Sequence, residues 1–234
     1  MEKNPNMLAP NILAPKWMEQ LGFELFELQL HGTFAKVKHT NYLPLKHDIF
    51  KAFQVGDFDT VKVVIVGQDP YHSGGLANGL AFATNIGSAI ALPPSLRNIF
   101  KEVERSIGCA IDETKTDLGG WANQGVMLLN MILTVSPGKP LSHIDFGWQT
   151  LTKAAIVALS NRDKPTVFML WGSVAQEVES LIDPKHLVLK ATHPNPRSAN
   201  SGPYAQRFVG CNHFSKANTW LIEKGEESIR WREL

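Results

Sequence analysis

The fold is decided by a short apolar run that ends in a polar turn, the stretch VKVVIVGQDPYH at residues 61–72. Its first half, Val61–Val66, is almost entirely apolar and rich in β-branched residues, which is typical of a strand buried on both faces of a parallel sheet. Three further runs of this kind follow along the chain, at Val126–Asn130, Thr166–Trp171 and Leu187–Ala191. The sequence therefore predicts four short buried strands.

Six segments show the apolar spacing of helices and lie before, between and after these strands. They are Lys16–Leu30, Leu45–Phe53, Ser95–Ile107, Trp148–Asn161, Ser173–Ile182 and His213–Lys224. Gly108 follows the third segment and Gly225 the last, where a left-handed cap is expected. Ser173 and Gln176 have the spacing of a capping box. Because helices alternate with strands, we expect an α/β fold, a three-layer α/β/α sandwich with a central four-stranded, mostly parallel sheet.

The composition is that of one globular domain. The chain has 234 residues, of which 44% are hydrophobic and 19% charged, enough for one sizeable core. We expect a loose arm rich in Pro and Asn at residues 1–15 and a single domain at residues 16–234. Since 23 Lys and Arg residues nearly balance 22 Asp and Glu residues, any binding of nucleic acid would need a locally basic cleft.

Secreted, membrane-spanning and zinc-binding proteins are not indicated. Residues 1–15 contain no apolar core of signal-peptide length, and the most apolar run, Gly125–Val135, is too short to span a bilayer. Cys109 and Cys211 are isolated, without the spacing of zinc ligands. We therefore expect a cytoplasmic protein with reduced cysteines and no metal site.

Polar, turn-forming residues follow each predicted strand. Asp69 and His72 come after the first, Asn130 ends the second, Ser173 follows the third and His193 the fourth. In open parallel sheets the ligand crevice lies beyond the carboxyl ends of the strands. We therefore expect these five side chains to converge on one active site, although the pattern does not say which reaction it serves.

The loop at residues 67–72 is similar to the water-activating loop of the family 1 uracil-DNA glycosylases. Other stretches match this family in its own order, and the resemblance extends from about Val61 to the C-terminus. The matching stretches are residues 92–96, 120–122, 125–130, 170–173, 193–196 and 210–215. The resemblance implies a monomeric, cofactor-free hydrolase that flips uracil out of single- or double-stranded DNA and leaves an abasic site. It also makes DNA-mimicking protein inhibitors candidate partners.

The resemblance assigns catalysis to Asp69 and His193. Asp69 would stabilise the positive charge that develops on the sugar and orient the attacking water, although an Asp before Pro70 also commonly forms an Asx-turn. His193, as a neutral imidazole, would donate a hydrogen bond to uracil O2 as negative charge builds there. Without the resemblance, a lone His between Thr and Pro is usually structural or exposed.

Four residues are expected to bind uracil, and one to support them. Asn130 can accept from N3–H and donate to O4, whereas cytosine offers the opposite pattern; Tyr71 would exclude the methyl group of thymine, and Phe82 would stack on the base. Gln68 would hold the uracil edge, and His72 would support the water loop. On residue type alone, Asn130 could instead bind loop backbone, Tyr71 could pack the turn, and Phe82 could be a core residue.

DNA contacts are expected from Ser95, Ser173 and Ser198, which match the serines that grip the DNA backbone in this family. Ser95 and Ser173 also lie where helix N-caps belong. The family's intercalation loop usually reads His-Pro-Ser-Pro-Leu-Ser, and here Asn195 replaces a serine while Arg197 replaces the apolar wedge.

Residues 199–209 form a longer segment than is usual in this family. Two interpretations of the changed loop stay open. Either Arg197 enters the base stack or its mouth, or it lies along the DNA backbone while Tyr204 or another residue of the longer segment fills the gap.

Two other classes of function compete with the glycosylase interpretation. A DNA clamp or scaffold without catalysis would be expected to have lost Asp69, Asn130 or His193, yet all three are present. A nucleoside or nucleotide hydrolase often uses carboxylate-bound metal, and no such group of residues is evident. A single candidate carboxylate also argues against the paired-carboxylate glycosidase scheme.

Overall fold

The computed structural model describes residues 13–85 and 91–234. At its centre lies a four-stranded sheet in the order β2-β1-β3-β4, in which all three neighbouring pairs are parallel. The strands are β1 (Val63–Gly67), β2 (Val126–Asn130), β3 (Val167–Trp171) and β4 (Leu187–Ala191). All residues of the first three strands are buried, which confirms the central sheet. The prediction of a buried strand is wrong for β4, because it lies at the edge of the sheet and buries only Leu189 and Ala191.

Helices cover both faces of this sheet and complete the predicted three-layer sandwich. α4 packs against α8 on one side, and α1 and α2 pack against α6 on the other. The helices are α1 (Pro15–Leu21), α2 (Phe23–Val37), α3 (Lys51–Gln54), α4 (Pro94–Ile107), α5 (Gly119–Ala122), α6 (Trp148–Asn161), α7 (Ser173–Gln176) and α8 (His213–Glu223).

Three helix predictions differ from the structure. The single helix predicted at Lys16–Leu30 is two helices, because the chain breaks at Gly22 with φ 73°, a left-handed value that glycine adopts without steric cost. The segment Leu45–Phe53 begins as a 3-10 helix and becomes α-helical only in α3. The helix predicted at Ser173–Ile182 ends as α7 at Gln176 and continues as a separate 3-10 turn.

The predicted helix caps are partly confirmed. α4 ends on Gly108 in the left-handed conformation, as expected. The capping box is wrong, because Gly172 takes the N-cap position with φ 90°, and Gln176 donates its amide to the carbonyl of Ala191 at 2.9 Å. Ser95 does not cap α4 either, since Pro93 holds that position.

The predicted N-terminal arm falls mostly on residues 1–12, outside the described part of the chain. Of its last three residues, Leu13 is buried and Pro15 begins α1. None of the helices in the described ranges is long and apolar enough to cross a membrane.

Candidate active site

The carboxyl edge of the sheet opens into two adjoining clefts that contain every predicted site residue. The first cleft has a volume of about 590 Å³, and the second, of about 740 Å³, runs beside it along the start of α7. Gln68, His193 and Asn195 line both clefts. The first also contains Asp69, Tyr71, His72, Phe82, Ser95, Asn130 and Arg197, and the second contains Ser173 and Ser198.

The Asp69 carboxylate is held from two directions. Oδ1 accepts a hydrogen bond from the Gln68 amide at 3.1 Å, and Oδ2 accepts one from the backbone N–H of Leu141 at 2.7 Å. Neither bond is to the backbone of the turn that contains Asp69, so these contacts orient the carboxylate instead of forming an Asx-turn. Leu141 was not predicted as part of the site.

His193 is held as a neutral hydrogen-bond donor. Its Nδ1 accepts a hydrogen bond from the backbone N–H of Asn195 at 3.1 Å, so in the neutral ring the proton is on Nε2. Burial lowers the pKa of His193, while the Asp69 carboxylate acts in the opposite direction and raises it. Gly172 allows this placement, since a Cβ there would lie 3.0 Å from the Cβ of His193.

Tyr71 and Phe82 form one wall of the first cleft. The Tyr71 hydroxyl donates to the backbone carbonyl of Phe82 at 3.1 Å, and burial raises the pKa of this phenol, which keeps it a neutral donor. Phe82 has φ 65°, a left-handed value that is uncommon for a bulky residue. Its ring lies 5.7 Å from the ring of Trp171 and 5.9 Å from that of His193. Phe82 is partly buried, so it packs against the core and also lines the cleft.

Asn130 ends β2 with its side chain nearly buried at the floor of the cleft. It lies opposite Gly67 in the parallel register, and a Cβ at residue 67 would collide with Oδ1 of Asn130. Within residues 13–85 and 91–234 its amide has no hydrogen-bond partner. Both its donor and its acceptor are therefore available to a ligand.

The loop that follows β4 is organised by Asn195. Its Oδ1 accepts from the backbone N–H of Ser198 at 2.9 Å, so this side chain shapes the turn and only its amide nitrogen remains to contact a ligand. Arg197 is exposed at the rim of the first cleft. Tyr204, 78% exposed, lines neither cleft; its ring lies beside Arg207, and its hydroxyl points toward Gly210.

Two contacts that support the site come from residues whose surrounding sequence does not indicate a role in it. Leu141, with φ 60°, follows Pro140, which lines the first cleft. Asn98 in α4 donates its side-chain amide to the carbonyl of Pro194 at 2.8 Å and so fixes the loop beside His193. In the described ranges no group of three or more His, Cys, Asp or Glu side chains is placed to hold a metal ion.

Comparison with known proteins gives one consistent family. The model of the uracil DNA glycosylase superfamily matches residues 53–222. A protein of Amoebophilus asiaticus named uracil-DNA glycosylase is 46% identical and covers 94% of this chain and 98% of its own length. One of Klebsiella pneumoniae with the same name is 47% identical, over 82% of this chain and 81% of its own.

Solved structures with a similar fold are also named uracil-DNA glycosylases or UNG. The crystal structure of mimivirus uracil-DNA glycosylase superposes with a TM-score of 0.84 at 24% sequence identity, covering 94% of this chain and 87% of that one. Variants of that viral protein crystallised in complex with UGI superpose equally well. At this level of identity the structures establish the shared fold.

Proposed function

Since the chain belongs to the uracil-DNA glycosylase superfamily, we propose that Asp69 and His193 carry out hydrolysis of the bond between uracil and deoxyribose in DNA. The protein is a monofunctional uracil-DNA glycosylase, a hydrolase of N-glycosyl bonds. The observation that carries the assignment is the geometry of the first cleft. An anchored carboxylate, a neutral imidazole with its N–H on Nε2, and an unpaired amide at the floor lie in one site.

The proposed reaction separates charge between sugar and base. As the N1–C1′ bond breaks, C1′ becomes positive and its electron pair leaves with uracil. The Asp69 carboxylate stabilises the positive centre and orients the water that attacks C1′. Nε2–H of His193 donates to uracil O2 and stabilises the departing anion, a type of preorganised donor that contributes roughly 3–4 kcal/mol. Because both groups are fixed before substrate binds, little reorganisation is needed in the transition state.

Base selection follows from the remaining walls of the cleft. The Asn130 amide accepts from N3–H and donates to O4, and cytosine would leave both groups mispaired at a cost of roughly 1–3 kcal/mol each. Tyr71 stands against C5 and excludes the methyl group of thymine. Phe82 stacks on the base, an interaction worth roughly 1–3 kcal/mol. Gln68 and His72 hold the uracil edge and the water loop.

DNA is gripped at the rims of the two clefts. Within the described ranges Ser95 and Ser173 are not used as N-caps, so their hydroxyls, the N–H groups of α4 from Ser95 onward and those at the start of α7 can bind phosphates. Ser198 and the amide nitrogen of Asn195 extend this surface. Arg197 enters the mouth of the emptied base stack. Its place at the rim of the first cleft favours Arg197 over Tyr204 for this role, since Tyr204 lines neither cleft. We infer that the site accepts both single- and double-stranded DNA, because the reaction needs only one flipped nucleotide in the cleft.

The protein works as a cytoplasmic monomer, and DNA-mimicking protein inhibitors bind across the same two clefts. The complexes of the mimivirus variants with UGI support the binding of such an inhibitor, but not its place on the surface.

The test is cleavage of a single-uracil oligonucleotide in EDTA, with matched thymine and cytosine oligonucleotides as controls. Alkali then reveals abasic sites, and we expect strand breaks only at uracil. Parallel reactions on free deoxyuridine should give no uracil. Cleavage of deoxyuridine but not DNA would support a nucleoside hydrolase, and DNA binding without any cleavage would support the clamp or scaffold.

A further inference from the structure

One motif that the sequence shares with the family has no part in either cleft. It is Gly210-Cys211-Asn212-His213-Phe214-Ser215, and none of its residues lines the site. Yet His213 is only 3% exposed, and its Nδ1 accepts a hydrogen bond from the indole N–H of Trp171 at 3.0 Å. A buried ring pair of this kind holds both rings in one orientation.

Trp171 links this motif to the cleft. It ends β3, is 2% exposed, and lies with its ring 5.7 Å from that of Phe82. Phe208 packs against its other edge at 5.0 Å. The rings of His213, Trp171 and Phe82 therefore form a continuous series from the core to the cleft.

The inner end of this series is anchored by Glu102 of α4. Its buried carboxylate accepts hydrogen bonds from the backbone N–H groups of Gly210 and Asn212, each at 2.9 Å. Burial alone would raise the pKa of Glu102, but these bonds and the Arg105 guanidinium hold it below its usual value. Asn212 adopts φ 58° and directs the chain into α8, so His213 is placed by a fixed turn.

We propose, building on the function above, that His213 is a positioning residue for uracil: it holds the indole of Trp171, which sets the plane of the Phe82 ring against which the base stacks. Phe82 lies on a turn with a left-handed backbone, and its ring is only partly buried. The hydrogen bond from the indole N–H to His213 is directional, so it fixes the rotation of the indole within its packed surroundings. The motif thus acts on uracil without touching it.

The experiment compares three variants with the wild type. His213→Leu removes the acceptor, His213→Asn keeps an acceptor near the position of Nδ1, and Leu221→Ala disturbs the core of α8 elsewhere. Inhibition of the cleavage reaction by free uracil gives the affinity of the base, and thermal unfolding gives stability. All assays are run well below the lowest unfolding midpoint.

We expect His213→Leu to weaken uracil binding about fivefold, the scale of one missing neutral hydrogen bond, with a parallel fall in kcat/KM. His213→Asn should recover most of this affinity, and Leu221→Ala should lower the unfolding midpoint without changing uracil affinity. If His213→Leu does not fold, Trp171→Phe keeps a ring, removes the donor and should show the same weakening.

Unchanged uracil affinity in His213→Leu, or an equal weakening in Leu221→Ala, would overturn the positioning role and leave the motif purely structural. This result is distinct from failure of the proposed function, in which the wild-type protein itself would release no uracil from DNA.

Discussion

At the scale of single residues, the protonation state of His193 decides whether it can act. Its Nδ1 already accepts the Asn195 N–H, and burial lowers its pKa below the usual 6.5, so the ring is neutral at pH 7. Protonation of Nδ1 at lower pH would break that bond. We expect the acid limb of the kcat profile to lie below pH 6.5.

His193→Gln should remove this acid limb and lower kcat about a hundred- to a thousandfold, since one preorganised donor is weakened. Single-turnover rates between pH 4.5 and 8 measure both effects. A variant that keeps the wild-type acid limb would show that another group titrates, and the role of His193 would then have to be abandoned.

The Tyr71 ring carries a second prediction at this scale. An apolar pocket discriminates against one methyl group by about 10- to 200-fold through affinity alone, so strict rejection of thymine needs a steric wall. Tyr71→Ala should therefore release thymine from DNA at a measurable rate. Tyr71→Phe loses only the bond to the Phe82 carbonyl and should still reject thymine. Thymine release by neither variant would place the wall elsewhere.

At the scale of elements, the loop after β4 combines a predicted and an unpredicted feature. Its position beyond a predicted strand follows from the local sequence, and the structure places His193, Asn195 and Arg197 together at the clefts. What the sequence could not show is that Asn195 would use its oxygen to hold Ser198, because that choice depends on the path of the turn.

Arg197 gives this loop a testable property. If it binds DNA phosphates, Arg197→Ala should weaken duplex binding and reduce the slope of log affinity against log salt by about 0.9 for each phosphate that is no longer neutralised. Titrations of uracil-containing duplex at several salt concentrations provide the slope. Lys153→Ala, exposed on α6, changes the charge equally and should leave it unaltered. Equal slopes for both variants and wild type would mean that Arg197 does not contact a DNA phosphate.

Local patterns predicted the strands and their polar ends because burial and turn formation depend on neighbouring residues. Contacts between residues that are far apart in the sequence could not be predicted from such local patterns. The Leu141 N–H that holds Asp69 is 72 positions away along the chain, and nothing in residues 138–143 indicates that role. The capping box at Ser173 failed for a related reason, since close approach to His193 requires a glycine at 172 and that glycine becomes the N-cap.

At the scale of the whole molecule, four histidines, three of them buried and His193 half-buried, link stability to pH. Burial lowers the pKa of His143, His186, His193 and His213 in the folded protein, in the last case to about 4. The unfolded chain therefore binds more protons than the folded one below about pH 6.5. Their contribution to the free energy of unfolding is complete above pH 6.5 and is lost as the pH falls toward 4.

Urea unfolding at pH 8, 7.5 and 5.5 should therefore show similar free energies at the first two values and a clear decrease at the third. Glu102 acts in a lower range, because its depressed pKa contributes stability that is lost only below about pH 4. His186 lies far from the clefts and bonds the carbonyl of Ser160, so His186→Asn should reduce the decrease between pH 7.5 and 5.5 without altering uracil release. A free energy of unfolding that stays constant from pH 8 to 5.5 would mean that these rings are hydrated or charged in the folded state.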